Sequence, residues 1–430
     1  MATQLTPSTF DAIVVGSGPG GATVTRELAR AGKNVLLLEW GGRPEIRGSF
    51  FQLAATTLRP GKGVFFTPDG LALFRNITTG GSSMSYYATV WEPPVEELKH
   101  YGIDISRELG EIRSELPINV LPDELIGPFA GRIMASARAL GYDWDKFQKF
   151  VYPEKCRPDC DKCIYGCPYG AKWTSRMFAE EAAGLGATLL NGARVGRVLI
   201  ERGKALGVEF RMMGEDHRVH ARQIILSAGG IGSPVILRAS GIKAAGQDFF
   251  FDPLIGVFGT TKGIKGGREF PMAAGCHFEE EGYILSDYNL PAPYYMAFAC
   301  EVLRFDRLFS HSRTLQIMVK ARDPLGGRLT DKGAVRKRLT AEDKRRLLHG
   351  CERATGILKH AGAKNIFRTW YIAAHPGGTV KIGDLVDSNL RTETENLYVC
   401  DCSVIPVAWG LPPVLTILCL AKRLAKHLSA

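Results

Sequence analysis

Four cysteines lie close together in the segment 156-CRPDCDKCIYGCP-168, and a proline follows the last of them directly. The pattern Cys-x3-Cys-x2-Cys-x3-Cys-Pro is one residue longer in its first gap than a bacterial run that ligates iron–sulfur clusters. It predicts one [4Fe–4S] cluster on Cys156, Cys160, Cys163 and Cys167. Four thiolates also suit tetrahedral zinc, and disulfides or a purely structural role without metal are further alternatives.

A glycine-rich turn near the N-terminus is typical of a dinucleotide site. In DAIVVGSGPGGATVTRELARAGKNVLLLE, an apolar strand leads into the turn, a helix runs to Ala31, and a second strand ends at Glu39. Such glycines permit a tight turn, close approach to a pyrophosphate and close helix packing; they are Gly16, Gly18, Gly20 and Gly21. The helix N-terminus attracts phosphate, and the carboxylate of Glu39 accepts hydrogen bonds from ribose hydroxyls.

Only one complete unit of this kind is recognised, so one dinucleotide is expected, and two further stretches favour FAD over a nicotinamide. The first, 75-RNITTGGSSMSYYATVWEPP-94, brings backbone amides toward a flavin or its pyrophosphate through Gly80, Gly81, Ser82 and Ser83. In the second, 221-ARQIILSAGGIGSPVILRASGI-242, a strand ends in small residues such as Ala228. A new helix is predicted to begin there at about Pro234.

Together with 193-ARVGRVLIERGKALGVEF-210 and 375-HPGGTVKIGDLVDSNLRTETENLYVCDCSVIP-406, these motifs cover most of the chain. In this order they resemble the glucose-methanol-choline (GMC) flavin oxidoreductases. The resemblance implies FAD and an α/β (α+β overall) fold, with a Rossmann-like FAD-binding domain and a discontinuous, sheet-based substrate domain. It implies that the N-terminal glycines and Glu39 bind the ADP part, with Val195 on the adenine side. Asp401 would lie near the ribityl and pyrophosphate, and the helix after Pro413 would point its positive end at the flavin.

The same resemblance implies hydride transfer from a CH–OH group to flavin N5, and this reaction needs a group that accepts the hydroxyl proton. Imidazole titrates in the useful range, and the resemblance assigns that role to His375. Family members generally carry a second His or Asn where this chain has Pro412, which has no polar side chain. Tyr371, Trp409 or a residue of the middle region could take its place.

A flavin accepts two electrons together, whereas a cluster passes them singly, so the pair predicts a protein or quinone acceptor. The chain is thus predicted to be an FAD-dependent dehydrogenase of a small-molecule alcohol. One alternative is an alcohol oxidase that uses O2 and keeps its cysteines for structure. Another is a non-catalytic electron-transfer subunit of a larger complex, and the reverse, reductive direction is also open.

The positions of the motifs predict a discontinuous nucleotide-binding part from residues 1–120, 151–245 and 370–430. Residues 246–369 would form the substrate domain and 121–150 a helical link. Strands are expected in FFFDPLIGVFGTTKG, in YILSDYNLPAPYYMAFACEVLRF and in TLQIMVKARD, followed by a helix from Thr340 to Ala361. The tyrosines of this region are expected to pack in the strand core, with a substrate cavity as the alternative; they are Tyr283, Tyr288, Tyr294 and Tyr295.

Composition limits the partners. The 430 residues carry a net charge of +10 and 45% hydrophobic residues, which favours acidic proteins, anionic membrane surfaces or anionic substrates. Nucleic acid is not expected, because no aromatic-rich basic motif accompanies the charge. Neither a secretion signal nor a membrane-spanning helix is predicted. The expected location is cytoplasmic, with peripheral association at the inner membrane face as an alternative.

Overall fold

A computed structural model of the chain describes residues 10–430. The sequence-based prediction that the N-terminus carries no secretion signal falls partly on residues 1–9, which lie outside the described residues. Ten α-helices, α1 to α10, occur in the described part: Pro19–Arg30, Phe50–Thr57, Val95–His100, Ser106–Glu115, Pro128–Ala139, Ser175–Gly184, Gly229–Ala239, Ala292–Glu301, Ala341–His360 and Val414–Ser429. The strands described there, β1 to β21, are Phe10–Val15, Val35–Glu39, Val64–Phe66, Ala72–Phe74, Ile118–Val120, Asp145–Lys146, Gln148–Phe150, Thr188–Asn191, Arg194–Glu201, Lys204–Met212, Glu215–Leu226, Gln247–Phe249, Pro253–Thr260, Ala274–Phe278, Tyr283–Asp287, Thr314–Ala321, Gly326–Leu329, Val335–Arg336, Lys364–Arg368, Ile372–Ala373 and Leu397–Val399.

The first sheet has the order β8-β2-β1-β11-β10-β9, and β21 pairs with β11. Strands β8, β2, β1, β11 and β21 are parallel, whereas β9, β10 and the first half of β11 form an antiparallel meander. Ile13, Val14 and Leu36 are fully buried, because a parallel strand covered on both faces is apolar throughout. Helix α1 packs against α10, and both contribute to the same core as β1.

The second sheet has nine strands in the order β3-β4-β20-β13-β16-β15-β14-β6, with β19 also paired to β13. Helix α9 packs on strands β13, β15 and β16. Its N-terminus is closed by a capping box in which the side chains of Thr340 and Asp343 each accept a backbone N–H. Such a cap satisfies N–H groups that have no partner within the helix.

The second sheet takes strands from outside the 246–369 segment. Strands β3 and β4 come from residues 64–74, β6 from 145–146 and β20 from 372–373. Residues 64–74 and 372–373 fall within the predicted nucleotide-binding part but belong to the second sheet. The chain therefore crosses between the two sheets more often than the predicted domain boundaries imply. Helix α5, in the 121–150 link, packs against α9 and strands β14 to β16.

Two predicted elements differ in the structure. Helix α7 begins at Gly229, not at Pro234, so Pro234 lies inside the helix. A proline cannot donate to the carbonyl four residues earlier, but the Thr379 hydroxyl donates to that carbonyl, Gly230 O, at 2.8 Å. The expected strand after Asp287 is also wrong, because Pro291 caps helix α8 at that point.

Three of the four tyrosines expected in the strand core, Tyr283, Tyr288 and Tyr295, are buried in the apolar clusters around the second sheet. Tyr295 reaches that position from helix α8 and not from a strand. No helix in residues 10–430 is both long enough and apolar enough to cross a bilayer.

Candidate active site

The carboxyl ends of the parallel strands bring four separated segments to one edge of the first sheet. Backbone hydrogen bonds join Gly16 N to Leu38 O, Ser227 N to Val15 O and Cys400 N to Leu226 O. Open α/β sheets bind ligands in the crevice outside this edge. The predicted dinucleotide residues of β1, β2, β11 and β21 therefore meet in one crevice.

The glycines of the first turn have distinct steric roles. Gly16 has φ +100°, a left-handed conformation, and a Cβ there would lie 2.4 Å from Ser227 O. A Cβ on Gly20 would lie 1.9 Å from Cys400 O, and one on Gly21 would lie 1.9 Å from Gly16 O. A Cβ on Gly18, by contrast, meets no described heavy atom within 4 Å. The space beside Gly18 is thus the open part of the turn.

Helix α1 begins directly after Gly18, and no side chain of residues 10–430 caps its N-terminus. The backbone N–H groups of a first helical turn have no partner within the helix, and the helix dipole makes this end positive. An uncapped helix start beside open space fits the pyrophosphate of a dinucleotide.

Glu39 ends β2 inside this crevice and is buried. Its Oε2 accepts hydrogen bonds from Ser17 N at 3.0 Å and Ser17 Oγ at 2.6 Å, and its Oε1 accepts one from Gly41 N at 2.7 Å. Burial raises the pKa of Glu39, and these hydrogen bonds oppose that shift. A carboxylate has about four acceptor positions, so one remains for a ribose hydroxyl.

Beside Glu39, one aromatic ring and two guanidinium groups form a cluster that the N-terminal glycine-rich motif did not predict. The Arg75 guanidinium lies 5.5 Å from the Trp40 ring centroid, and the Arg194 guanidinium lies 4.8 Å from the same ring. Burial lowers the pKa of Arg75 to about 10, whereas the charge of Glu39 opposes this change. Val195, predicted on the adenine side, is buried in β9 next to Arg194.

The predicted Gly80–Ser83 loop lies against the start of α1. Gly80 N donates to Ser17 Oγ at 3.0 Å, and a Cβ on Gly81 would lie 3.1 Å from Gly18 Cα. The Ser83 hydroxyl is used within the protein, because it donates to Gly80 O at 2.6 Å. Ser82 is exposed at the same turn. The loop brings backbone to the crevice, while the Ser82 hydroxyl accepts the N–H of Asn76 at 3.3 Å.

Asp401 lies where β21 ends and is also buried. Its Oδ2 accepts from Gly229 N at 2.8 Å and from Ser233 Oγ at 2.5 Å, and its Oδ1 accepts from Ser403 N at 2.8 Å. Ala228 is the N-cap residue of α7. Asp401 therefore holds the start of α7, and burial raises its pKa.

Pro413 is the N-cap residue of α10, and no side chain in the described part of the protein caps this helix start either. The positive end predicted after Pro413 is therefore present. Its position relative to a bound flavin stays a prediction.

His375 follows β20 with φ +51°, a left-handed conformation that is uncommon for a non-glycine residue. Its Nδ1 lies 3.1 Å from Oδ2 of Asp252, and its side chain is 28% exposed. A Cβ on Gly230 would lie 1.8 Å from Pro376 O, so the His375 turn packs directly on the first turn of α7. The imidazole is thereby held beside the edge where the dinucleotide segments meet.

Burial lowers the pKa of His375, and Lys320 acts in the same direction, whereas the hydrogen bond with Asp252 raises it. Neither residue suggested as a second polar group contacts the imidazole. Trp409 Nε1 donates to Glu97 at 2.7 Å, and Tyr371 packs at the core of the second sheet. The residue that contacts the imidazole is Asp252, which lies in the middle region that the sequence left open but was not singled out there. An acid inside the apolar run FFFDPLIGV was the available signal.

Two family models described as GMC oxidoreductase match residues 90–257 and 308–421, together more than half of the chain. The chain belongs to the GMC oxidoreductase family. The predicted FAD-dependent oxidoreductase class is thereby confirmed, and the crevice described above fits that cofactor.

GMC relatives extend over nearly the whole chain. An uncharacterized protein of Methanocaldococcus jannaschii is 25% identical and covers 97% of this chain and 100% of its own length. An uncharacterized GMC-type oxidoreductase of Mycobacterium tuberculosis is 26% identical, covering 98% of this chain and 76% of that protein. A long-chain-alcohol oxidase of Arabidopsis thaliana is 22% identical, covering 97% and 68%.

Solved GMC structures share the fold. Pyridoxine 4-oxidase from Mesorbium loti superposes with a TM-score of 0.76 at 18% identity, covering 97% of this chain and 99% of its own. Formate oxidase of Aspergillus oryzae RIB40 gives a TM-score of 0.73 at 16% identity, covering 98% of both chains. The predicted fold class is thereby confirmed.

The four clustered cysteines of this GMC chain line one cavity, together with Val151, Arg157, Tyr169, Ala171, Lys172 and Phe270. Cys163 and Cys167 are buried, Cys156 and Cys160 are half-buried, and all ten cysteines are free thiols. Cys167 has φ +61° and follows Gly166 at +96°, so the loop reverses sharply there. Within residues 10–430, no group of three or more His, Cys, Asp or Glu side chains is arranged to hold a single metal ion.

Lys172 is fully buried beside this cavity, and its position was not predicted. Its Nζ donates to Cys163 O at 2.6 Å, Met84 O at 2.9 Å and Tyr86 O at 3.0 Å. Its backbone N–H lies 3.4 Å from Cys167 Sγ. The buried lysine and this backbone N–H therefore lie beside the thiols.

Proposed function

We propose that this protein oxidises a CH–OH group of a small-molecule alcohol with FAD, and that His375 accepts the hydroxyl proton. We further propose that a [4Fe–4S] cluster on Cys156, Cys160, Cys163 and Cys167 passes the electrons to a protein or quinone acceptor. The observation that supports the catalytic half is the His375 turn, which packs on α7 beside the dinucleotide crevice.

FAD, when bound, accepts the hydride from the carbinol carbon. The protein would hold its pyrophosphate at the uncapped start of α1 and its ribose at Glu39. The task left to the chain is the proton. Removing the O–H proton as the C–H bond breaks leaves a C=O product and a protonated imidazole, so all atoms and both electrons are accounted for.

His375 suits this task because burial lowers its pKa. An imidazole with a lowered pKa is neutral at pH 7 and can accept a proton. Its Nε2 makes no hydrogen bond to the described residues, whereas Nδ1 faces Asp252. The accepting atom is therefore Nε2.

The test is anaerobic stopped-flow reduction of the flavin by a panel of alcohols in wild type and His375→Ala. We expect the limiting rate to fall by a factor of roughly 10² or more, because this is the usual contribution of a general base. The matched control is His100→Ala, since His100 is exposed in α3 and should leave the rate unchanged. An unchanged rate in His375→Ala would reject the proposed base.

Support for the cluster comes from the cavity. Four thiols face one space whose walls include Val151, Ala171 and Phe270, and the backbone N–H of Lys172 donates to Cys167 Sγ. Since a cluster held by four thiolates carries negative charge, the buried amine of Lys172 stabilises it. No group of the described side chains is arranged to hold a metal ion, zinc included, so the shared cavity and the nearby lysine are what support the cluster proposal.

Iron and acid-labile sulfide are to be measured in protein purified without oxygen. About four of each per chain are expected for one [4Fe–4S] cluster, and their loss is expected in Cys163→Ser. Cys300→Ser is the control, because Cys300 is exposed on α8 outside the cavity. Flavin without iron or sulfide would reject the cluster and leave the alcohol oxidation standing.

An oxidase that transfers electrons to O2 is a second candidate, and the names of three relatives, long-chain-alcohol oxidase, pyridoxine 4-oxidase and formate oxidase, favour it. Turnover in air distinguishes the two functions. Peroxide formed in step with alcohol consumption supports the oxidase, whereas turnover that needs an added one-electron acceptor supports the dehydrogenase.

A further inference from the structure

Asp252 and His375 meet across paired strands of the second sheet. Pro253, at the start of β13, pairs with Ala373 of β20, and Ala374 N donates to Asp252 O at 3.3 Å. The two side chains are 123 residues apart in sequence, yet Oδ2 and Nδ1 are 3.1 Å apart. The contact is set by strand register and not by a flexible surface.

A buried lysine completes the contact. Lys320, in β16, is 2% exposed, and its Nζ lies 3.4 Å from the same Asp252 Oδ2. Its neighbour in register is Leu254, two residues after Asp252. The lysine side chain therefore pairs with the same carboxylate oxygen that faces His375.

The backbone of Asp252 is held by a second acid–lysine pair. Asp323 accepts the N–H of Asp252 at 2.9 Å, and Lys337 Nζ donates both to Asp323 and to Phe249 O. Cys402 also lies close to Asp252, and burial raises the pKa of its thiol. The charged groups that act on His375 are Asp252 and Lys320, and the Asp323–Lys337 pair holds the backbone of Asp252.

Several unfavourable features coincide at this contact. Asp252 and His375 both have left-handed φ, +45° and +51°. Asp252 Oδ1 is buried without a hydrogen-bond partner in the described residues. Strained backbone and unsatisfied buried oxygens lower stability, so the pairing of Asp252 with Lys320 is offset by costs at the same residue.

We propose that Asp252, which pairs with Lys320, is the positioning residue of the catalytic base. Its carboxylate accepts the Nδ1–H of His375, which places the lone pair on Nε2 and stabilises the imidazolium that forms when the base takes a proton. The inference depends on the proposed role of His375. It explains how the reaction can proceed with one imidazole in a chain that has Pro412 where family members generally carry a second His or Asn.

Asp252→Asn tests this directly in the FAD-bound protein. An amide can donate its N–H to Nδ1 and so put the ring proton on Nε2, the wrong atom for a base. We expect the limiting rate of flavin reduction to fall by roughly 10² to 10⁴. The alcohol concentration at half-saturation should change little. The apparent pKa on the acid side of the pH–rate profile should fall, because the imidazolium loses its anionic partner.

Asp343→Asn is the matched control, because Asp343 is an equally buried acid that caps α9 away from His375. It should lower the melting temperature without moving the pH profile. A wild-type rate and pH profile in Asp252→Asn, with a slow His375→Ala, would overturn the role of Asp252 and keep the proposed function. Wild-type rates in both variants would instead reject the base itself.

A second measurement does not depend on the folding of Asp252→Asn. In wild-type protein labelled with ¹⁵N-histidine, the His375 signal is assigned by its absence in His375→Ala. The proposal expects the neutral ring to carry its proton on Nδ1. A ring protonated on Nε2 in the FAD-bound protein would overturn it.

Discussion

Alanine at Gly18 and at Gly21 should have opposite effects, although the two glycines are three residues apart. A Cβ on Gly21 would lie 1.9 Å from Gly16 O and 2.9 Å from Ser227 Cβ, so the backbone has to move. Overpacking of this kind costs about 1–3 kcal/mol. A Cβ on Gly18 meets no heavy atom of residues 10–430 within 4 Å, and its φ of −64° suits alanine.

Gly18→Ala should therefore leave the stability of the FAD-free protein unchanged or raise it by about 0.4–1 kcal/mol, through a less flexible unfolded chain. The substitution should instead weaken the binding of FAD. If the pyrophosphate occupies the open space at Gly18, a methyl group there costs about 1–3 kcal/mol, which weakens FAD binding roughly 5- to 150-fold.

Urea unfolding without FAD and fluorescence titration with FAD measure the two effects separately. Gly110→Ala is the control, because a Cβ on Gly110, within α4, also meets no described atom within 4 Å. It should raise stability by up to about 1 kcal/mol and leave FAD affinity unchanged. Wild-type FAD affinity in Gly18→Ala would refute the placement of the pyrophosphate beside α1.

Three further predictions concern charge, buried amines and capping. On the acid side of the pH–rate profile for flavin reduction, the apparent pKa should lie below the ordinary histidine pKa. Burial lowers the pKa of His375, and the rate falls only when the ring becomes protonated. Stopped-flow rates measured across pH check this expectation. Lys172→Met leaves three carbonyls without their donor, so the free energy of unfolding should fall by at least about 1–3 kcal/mol, as measured in urea. Thr340→Ala removes the α9 cap and should cost about 1 kcal/mol, seen as a lower melting temperature with unchanged flavin reduction.

The β1–α1–β2 unit could be predicted because its requirements are local. Gly16, Gly20 and Gly21 each avoid a steric clash with nearby backbone, and Glu39 ends a strand whose apolar residues are adjacent in sequence. The Asp252–His375 contact could not be predicted, because it depends on the register of β13 against β20.

Helix α7 was mispredicted for a related reason. Pro234 is normally a sign that a helix has not yet begun, since it lacks the N–H that helix interiors use. Here the freed carbonyl of Gly230 is bound by Thr379, 149 residues away in sequence. A local rule therefore failed where a distant side chain supplied the missing donor.

The Gly80–Met84 segment links the two halves of the proposed function. At one end, Gly81 lies against Gly18 at the start of α1. At the other end, Met84 O binds Lys172 Nζ, which also binds Cys163 O, and the Met84 side chain lies against Gly80 and Gly166. The dinucleotide crevice and the cysteine cavity thus share one segment. If both cofactors bind as proposed, this segment connects their sites through covalent and hydrogen bonds, and Met84→Ala should slow the reduction of an added one-electron acceptor without changing the stopped-flow rate of flavin reduction.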